Sequence, residues 1–466
     1  MRSFRVPAIF RSTNPRKRLW QLGGLVGIIV ATVCVLNLVL PREKRVTPQL
    51  LGHDFLAFYT AGTFAREHRF EDLYDLDAVR ESERRLINEN KLDAGEGFGP
   101  WWNPPFYAWA FAPLAGISYP SALGSWTIVN LLALSAAIML LVEVFPSHRF
   151  EGSTGDWKTW ALVPVLLLTS MPFIQAISHG QNTCTSLLIL CGVVSAWRAN
   201  RATLAGAIAG LLFYKPQLAA VLAVVMTLNL GRRAILGMSF TGGILLLATI
   251  ISMPGMIGVY LRQLPLNVHF MQVESAYLWE RHVTLKALWR LMLMGREAGE
   301  PTRMVTALYG ACVLAFGAGL LIAAIRSRRS ADDPWTGQTR WAARDRLIAA
   351  TIVTSPLLMP FYFDYDLLLL AVPAVLVAGE MTRRDALSIS DRWLIRTWMI
   401  LGGWLLVNPG LARMSHINLA TILLACLSGQ LIVGACRGRA LGTAVERPSV
   451  EQAPPMIQPK PLRAAA

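Results

Sequence analysis

Apolar runs close to the length of a bilayer crossing recur along this chain, and no other feature constrains its fold as tightly. A helix needs about 20 apolar residues to cross the hydrocarbon core. Such runs, some shorter, cover 22–40, 122–144, 160–170, 184–197, 211–230, 235–253, 304–325, 347–359, 367–378, 394–407 and 419–435. They are apolar on every side, whereas strands of a membrane barrel alternate apolar and polar residues, so a barrel is excluded. The expected fold is all-α and polytopic, a helical bundle with about ten to twelve transmembrane helices.

Charge orients the bundle. The net charge of +15 does not indicate a nucleic-acid partner, because the basic residues gather at the ends of apolar runs and not on one soluble face. The positive-inside rule accounts for them. It places the N-terminus, with Arg2, Arg5, Arg11, Arg16, Lys17 and Arg18, in the cytoplasm, along with 198–201, 232–233, 326–329, 383–384 and 437–439. The first run is long for a signal peptide and Pro41-Arg42-Glu43-Lys44 offers no small-residue cleavage site, so it is expected to remain as a span. Residues 1–440 then form one integral membrane domain in the cell's inner (plasma) membrane, and the Pro- and Ala-rich tail 441–466 a disordered cytoplasmic segment. The loops 41–100 and 254–303 fall on the extracytoplasmic side. One conflict stands: Pro100 outside and Arg198 inside require an odd number of crossings, yet four candidates lie between them. Either 105–117 re-enters without crossing or one boundary is misplaced. Cys34, Cys184, Cys191, Cys312, Cys426 and Cys436 sit in or beside apolar runs without a CxxC, as packing thiols do.

Loop 41–100 opens on Gly52-His53-Asp54-Phe55, followed by Tyr59, Ala61-Gly62 and Leu73-Tyr74-Asp75. Helices are predicted over 55–68 and 76–90, with apolar residues interleaved among charges as in interfacial helices. Asp54 is either a cap for the first of them or an acid presented at the membrane surface. Trp101-Trp102-Asn103-Pro104-Pro105-Phe106-Tyr107 then marks the return to the interface.

Polar residues inside or between apolar runs are costly and are usually kept for function. Ser178-His179-Gly180-Gln181-Asn182 is either a plain turn or a set of amide donors and acceptors. Tyr214-Lys215-Pro216-Gln217 breaks an apolar stretch, because Pro216 cannot continue a helix. Lys215 either snorkels to the interface or binds an anionic head group. Phe361-Tyr362-Phe363-Asp364-Tyr365-Asp366 reads as a sugar platform or as a turn capping the next helix. Trp279-Glu280-Arg281-His282 reads as a solvated charge cluster or as a phosphate and proton site. Topology puts all four on the side of Asp54. A lipid-linked sugar phosphate could then rest its phosphate on Lys215 or Arg281 and turn its sugar to Asp54. Transfer needs a base for the acceptor hydroxyl and charge stabilisation for the departing phosphate.

The motifs 54–59, 61–62 and 73–75, Asn103-Pro104-Pro105-Phe106 with Ala112-Pro113-Leu114, Gly180-Gln181-Asn182, Lys215-Pro216-Gln217, and Ser355-Pro356 with Phe363-Asp364-Tyr365-Asp366 together resemble glycosyltransferase family 87. These are the polyprenol-phosphate-mannose-dependent α-mannosyltransferase-like membrane proteins of the C-type glycosyltransferase fold. The resemblance extends over about 50–380. It implies a polyprenyl-phosphate donor carrying a hexose, mannose in the family, and a glycan or glycolipid acceptor outside the cytoplasm. It also implies inverting displacement with Asp54 as base. Tyr59, Gln181, Asn182, Lys215, Gln217, Arg281, His282, Asp364 and Asp366 are the expected donor and substrate contacts. No nucleotide-binding loop is present and no cofactor is expected. No metal ligands are assigned, although Asp364-Tyr365-Asp366 has the spacing of a metal-binding DxD and leaves a divalent ion open. The chain departs from the family in 95–102, rich in Gly and Trp, which puts acceptor recognition in doubt. The competing reading is a transporter or flippase of a lipid-linked or anionic substrate, since broken helices and intramembrane lysines also mark transport sites. The chain has no internal repeat in its favour.

Overall fold

The computed structural model describes residues 52–92, 98–144, 157–275, 277–330, 337–382 and 387–437, with Ile28 and Thr32. Most of the expected first span 22–40, the basic N-terminus, the tail 441–466 and Arg383-Arg384 lie outside the described residues.

The described chain is helical throughout, and its only strand-like feature is an isolated bridge between His282 and Phe363. Helices α1 (Phe55–Arg66) and α2 (Leu76–Glu89) come from the first loop. Two short 3-10 turns, Pro105–Ala110 and Leu114–Gly116, lead into α3 (Tyr119–Val144). Next come α4 (Trp157–Leu168), α5 (Met171–His179), α6 (Thr183–Arg198), α7 (Ala202–Gly210), α8 (Pro216–Leu230), α9 (Arg232–Ser252) and α10 (Met256–His269). The remainder is α11 (Leu285–Met294), α12 (Arg303–Ser330), α13 (Gly337–Leu358), α14 (Ala371–Thr382), α15 (Ile389–Trp404), α16 (Asn408–Ser415) and α17 (Leu419–Arg437).

By length and composition, four helices among the described residues can cross a bilayer: Tyr119–Glu143, Arg232–Ser252, Arg303–Arg328 and Leu419–Cys436. The apolar stretches 183–198, 202–214 and 216–230 form shorter helices. Several runs are broken where the sequence places proline or paired acids. Residues 211–230 divide at Lys215, because Pro216 takes the first position of α8, where its missing N–H costs nothing. The run from Leu367 begins as a 3-10 turn, Asp364–Leu370, before α14 takes over. The two 3-10 turns within 105–117 are too short to span a bilayer as helices.

The main core runs through α3 to α9, α11 to α15 and α17. A second, largely aromatic cluster surrounds α1. Here the structure differs from expectation: most of α1 is buried, including Phe55, Phe58, Tyr59 and Phe64, so it does not lie along a surface. Phe58 stacks on Phe111 with ring centroids 4.8 Å apart, and Trp101, Tyr119 and Trp126 close around the helix. These covering residues come from 101–126, a contact that periodicity within α1 cannot reveal. Only α2 keeps an amphipathic face, burying Val79 and Glu83.

The family-like motifs in this layer have packing reasons. A Cβ on Gly62 would stand 2.5 Å from the Phe111 carbonyl oxygen, and the Tyr74 hydroxyl donates to the Asn103 carbonyl at 2.8 Å. Asn267 Nδ2 in turn donates to the Tyr74 carbonyl, tying α10 to the same layer. Close backbone approach also joins α7 to α9, where a Cβ on Gly237 would meet the Thr203 carbonyl oxygen at 2.1 Å.

Gly62→Ala is expected to destabilise the fold by about 1–3 kcal/mol, as overpacking does, whereas Gly124→Ala, with open space around its Cβ, should cost nothing. Thermal unfolding of both variants in detergent checks this, and equal midpoints would remove the close-approach explanation.

Candidate functional site

The site forms where the start of α1 docks on the turn between α5 and α6. Gly52 N donates to the Ser178 carbonyl at 2.7 Å, Asp54 N to the His179 carbonyl at 3.0 Å, and Trp126 Nε1 to the Gly180 carbonyl at 2.8 Å. Gly180 ends α5 at φ +69°, and a Cβ there would lie 2.8 Å from Phe55 Cβ, so glycine is required on both counts. Asp54 occupies the cap position of α1, yet its carboxylate makes no capping hydrogen bond. Oδ2 instead accepts from Gln181 Nε2 at 2.7 Å. The half-buried acid is thus aimed at the interior turn and not at its own helix.

Two buried ion pairs stand beside it. Lys215 Nζ lies 3.0 Å from Asp366 Oδ1, which also accepts from Thr183 Oγ1 at 3.0 Å. Arg281 Nη2 lies 2.8 Å from Asp364 Oδ1, while Gln175 Nε2 donates to Asp364 Oδ2 at 3.0 Å. Arg281 Nη1 reaches His179 Nε2 at 3.0 Å. Burial works against the charge of Arg281, but the Asp364 carboxylate outweighs it and holds the guanidinium above its ordinary pKa; Asp54 adds to that field. Residues two apart on a 3-10 turn are about 240° apart, which sends Asp364 and Asp366 to different cations. The DxD spacing therefore yields two separate ion pairs here, and among the described residues no group of three or more His, Cys, Asp or Glu side chains is placed to hold a metal ion.

The structure resolves several alternatives. Lys215 does not snorkel, for its side chain is buried and paired. Glu280, Arg281 and His282 are buried, so that run is not a solvated cluster. His282 Nδ1 accepts the Tyr362 backbone N–H at 3.2 Å, and burial, aided by Arg281 and Lys286, pushes its pKa down to about 3. The ring is therefore neutral at ordinary pH and carries its proton on Nε2. Asn182 Nδ2 donates to the Tyr107 hydroxyl at 3.0 Å, and Tyr107 stacks on Tyr214 with centroids 4.4 Å apart. The side-chain oxygens of Gln181 and Asn182 are buried without a partner.

Asp54, Gln181, Asn182, Lys215, Arg281, Asp364 and Asp366 thus share one polar region. Three expected contacts stand apart from it: the Tyr59 hydroxyl donates to the Ile117 carbonyl at 2.8 Å, Gln217 is half-buried in the first turn of α8, and the His282 ring packs among Tyr277, Trp279 and Phe363. Gln175, Thr183 and Glu83 were not expected, and His179 was singled out only as part of the 178–182 turn. Gln175, His179 and Thr183 flank the Gly180 motif, where polar residues beside apolar runs are the available signal. Glu83 is marked only by sharing the inward face of α2 with Val79, one turn away.

Glu83 Oε2 accepts from Gly99 N at 3.0 Å and Oε1 has no partner. Burial pushes its carboxyl up to about 8, with the charge of Asp54 adding to the rise. The raised value means that the fold favours the protonated form. The corresponding stability is complete below the unfolded pKa near 4.5 and is lost as pH rises through about 8. Glu83→Gln should match the parent protein at pH 4 and unfold at a higher temperature at pH 8, by up to roughly 4 kcal/mol. A stability difference independent of pH would assign Glu83 a different state.

A family model described as glycosyltransferase family 87 matches residues 101–360, more than half of the chain. No curated protein and no solved structure matches it.

Proposed function

The chain belongs to glycosyltransferase family 87, and from that premise we propose that this membrane glycosyltransferase moves a hexose, mannose by the family resemblance, from a polyprenyl-phosphate donor to a glycan or glycolipid. The observation that carries the reading is the Asp54 carboxylate, turned from its own helix and held by Gln181 at 2.7 Å beside two compensated ion pairs.

In this reading Asp54 is the base. The acceptor hydroxyl oxygen attacks the anomeric carbon and forms the new glycosidic bond as the bond to the phosphate oxygen breaks. The acceptor proton passes to Asp54, and the phosphate leaves on its prenyl chain with the electron pair. Single displacement inverts the anomeric configuration, by the geometry that separates inverting from retaining glycosidases. Gln181 Nε2 fixes the carboxylate, and the free oxygens of Gln181 and Asn182 supply acceptors for sugar hydroxyls. Asp364 and Asp366 hold Arg281 and Lys215 in place, so the bound sugar phosphate meets a rigid polar wall.

An extracytoplasmic site in the plasma membrane is supported by the separation of charge along the helices. Thr183, at the site, and Arg198, in a run the positive-inside rule assigns to the cytoplasm, stand at opposite ends of α6. That helix is about 24 Å long at 1.5 Å per residue.

Asp54→Asn keeps the shape of the side chain and its contact with Gln181 but cannot take the proton. Transfer from a polyprenyl-phosphate sugar should fall by about 10²–10⁴-fold, the range for loss of a general base, with the melting temperature in detergent nearly unchanged. Turnover at the parent rate would remove Asp54 from this role.

A further inference from the structure

The cations expected to meet the donor phosphate, Lys215 and Arg281, each already face a carboxylate. Another pair does not. Lys286 and Arg290 stand one turn apart on α11, an arrangement in which like charges repel. Both lie over the same indole: Lys286 Nζ is 5.5 Å and the Arg290 guanidinium 5.8 Å from the Trp279 ring centroid. Among the described residues neither has a carboxylate within ion-pair distance. Lys286 Nζ donates to Gln272 Oε1 at 2.9 Å, Arg290 Nη2 donates to the Glu297 and Gly299 carbonyls, and Arg290 Nη1 is buried without a partner.

A third donor belongs to the same cluster. The His282 ring lies 6.2 Å from that of Trp279 and 4.9 Å from that of Tyr277. Its Nδ1 is taken by the Tyr362 N–H, so its proton is on Nε2, and Nε2 is fully buried with no acceptor. Two cations that feel the charges of Glu300 and Glu297 only from beyond ion-pair distance and an unsatisfied buried N–H therefore converge on one aromatic hub. Retaining such an arrangement costs free energy unless an anion completes it. On α11, Met292 and Leu293 are exposed while Arg290 is turned inward. A helix with exposed apolar residues and inward cations suits an anion attached to a lipid.

We propose that Lys286 and Arg290, with His282 Nε2–H, form the seat for the phosphate of the prenyl-linked donor, leaving Arg281 and Lys215 to hold the acidic turn. This rests on the donor class proposed above. The three donors match the acceptor oxygens of a phosphodiester, and the same groups retain the phosphate as its negative charge grows on departure.

The test is equilibrium binding of a long-chain polyprenyl monophosphate, the leaving product, to the full chain in phosphatidylcholine nanodiscs, with phosphatidylglycerol as a second ligand. Lys286→Gln and Arg290→Gln should each weaken polyprenyl-phosphate binding about tenfold or more, as loss of a charge-assisted hydrogen bond does. They should also raise the donor KM. Lys286→Arg, which keeps the charge, should restore most of the affinity. Lys286 is half-buried, so its variants carry the test if Arg290→Gln does not fold. Parent-like affinity in a folded Lys286→Gln variant would overturn the seat while leaving the proposed reaction intact. Loss of phosphatidylglycerol binding alone would make it a bilayer-lipid site and also overturn it. A parent protein that shows neither saturable binding of polyprenyl phosphate nor transfer would overturn the donor class itself.

Discussion

The architecture of the site depends on the rule that a charge taken out of water must find a partner. Asp364 and Asp366 sit on one short turn inside the bundle and would be prohibitively costly alone. Arg281 arrives from the second long loop and Lys215 from the break before α8, so two ion pairs tie three distant segments together. Gln175 at the end of α5 and Thr183 at the start of α6 complete the carboxylates' hydrogen bonding. The turn between those helices is thereby fixed, and that turn carries the Gln181 amide on which Asp54 rests.

Backbone proximity does the rest. Asp54 reaches Gln181 because Gly52 and Gly180 let two loops pack backbone to backbone, and because Gly62 lets α1 lie against Phe111. An aromatic layer from 101–126 then encloses α1 and withdraws it from the surface. The base of the proposed reaction is thus mounted on a buried helix, which suits a group that must hold its geometry while a lipid-borne substrate arrives from the side.

Much of this was legible in the chain. Uniform apolar runs require helices, and proline marks their breaks, so the end of the helix at Lys215 and its restart at Pro216 follow from backbone chemistry alone. Costly polar residues in those runs pointed to Gln181, Asn182, Lys215, Asp364 and Asp366. The partners of these residues were not legible. Nothing in the spacing says that Lys215 meets Asp366, 151 residues away, or that Glu83 lies close enough to Asp54 to feel its charge. The burial of α1 was likewise hidden, since an amphipathic segment and a core segment differ only in what covers them.

The sequence by itself determined the helical membrane class, the breaks in the helices and the short family motifs, because these depend on hydropathy and local backbone chemistry. Only the tertiary structure decided which charges cancel and which remain. That division is physical: desolvation and pairing act between side chains brought together by packing. The chain order places Arg281 and Lys286 five residues apart, but the fold gives Asp364 to the first and, among the described residues, no carboxylate within ion-pair distance to the second.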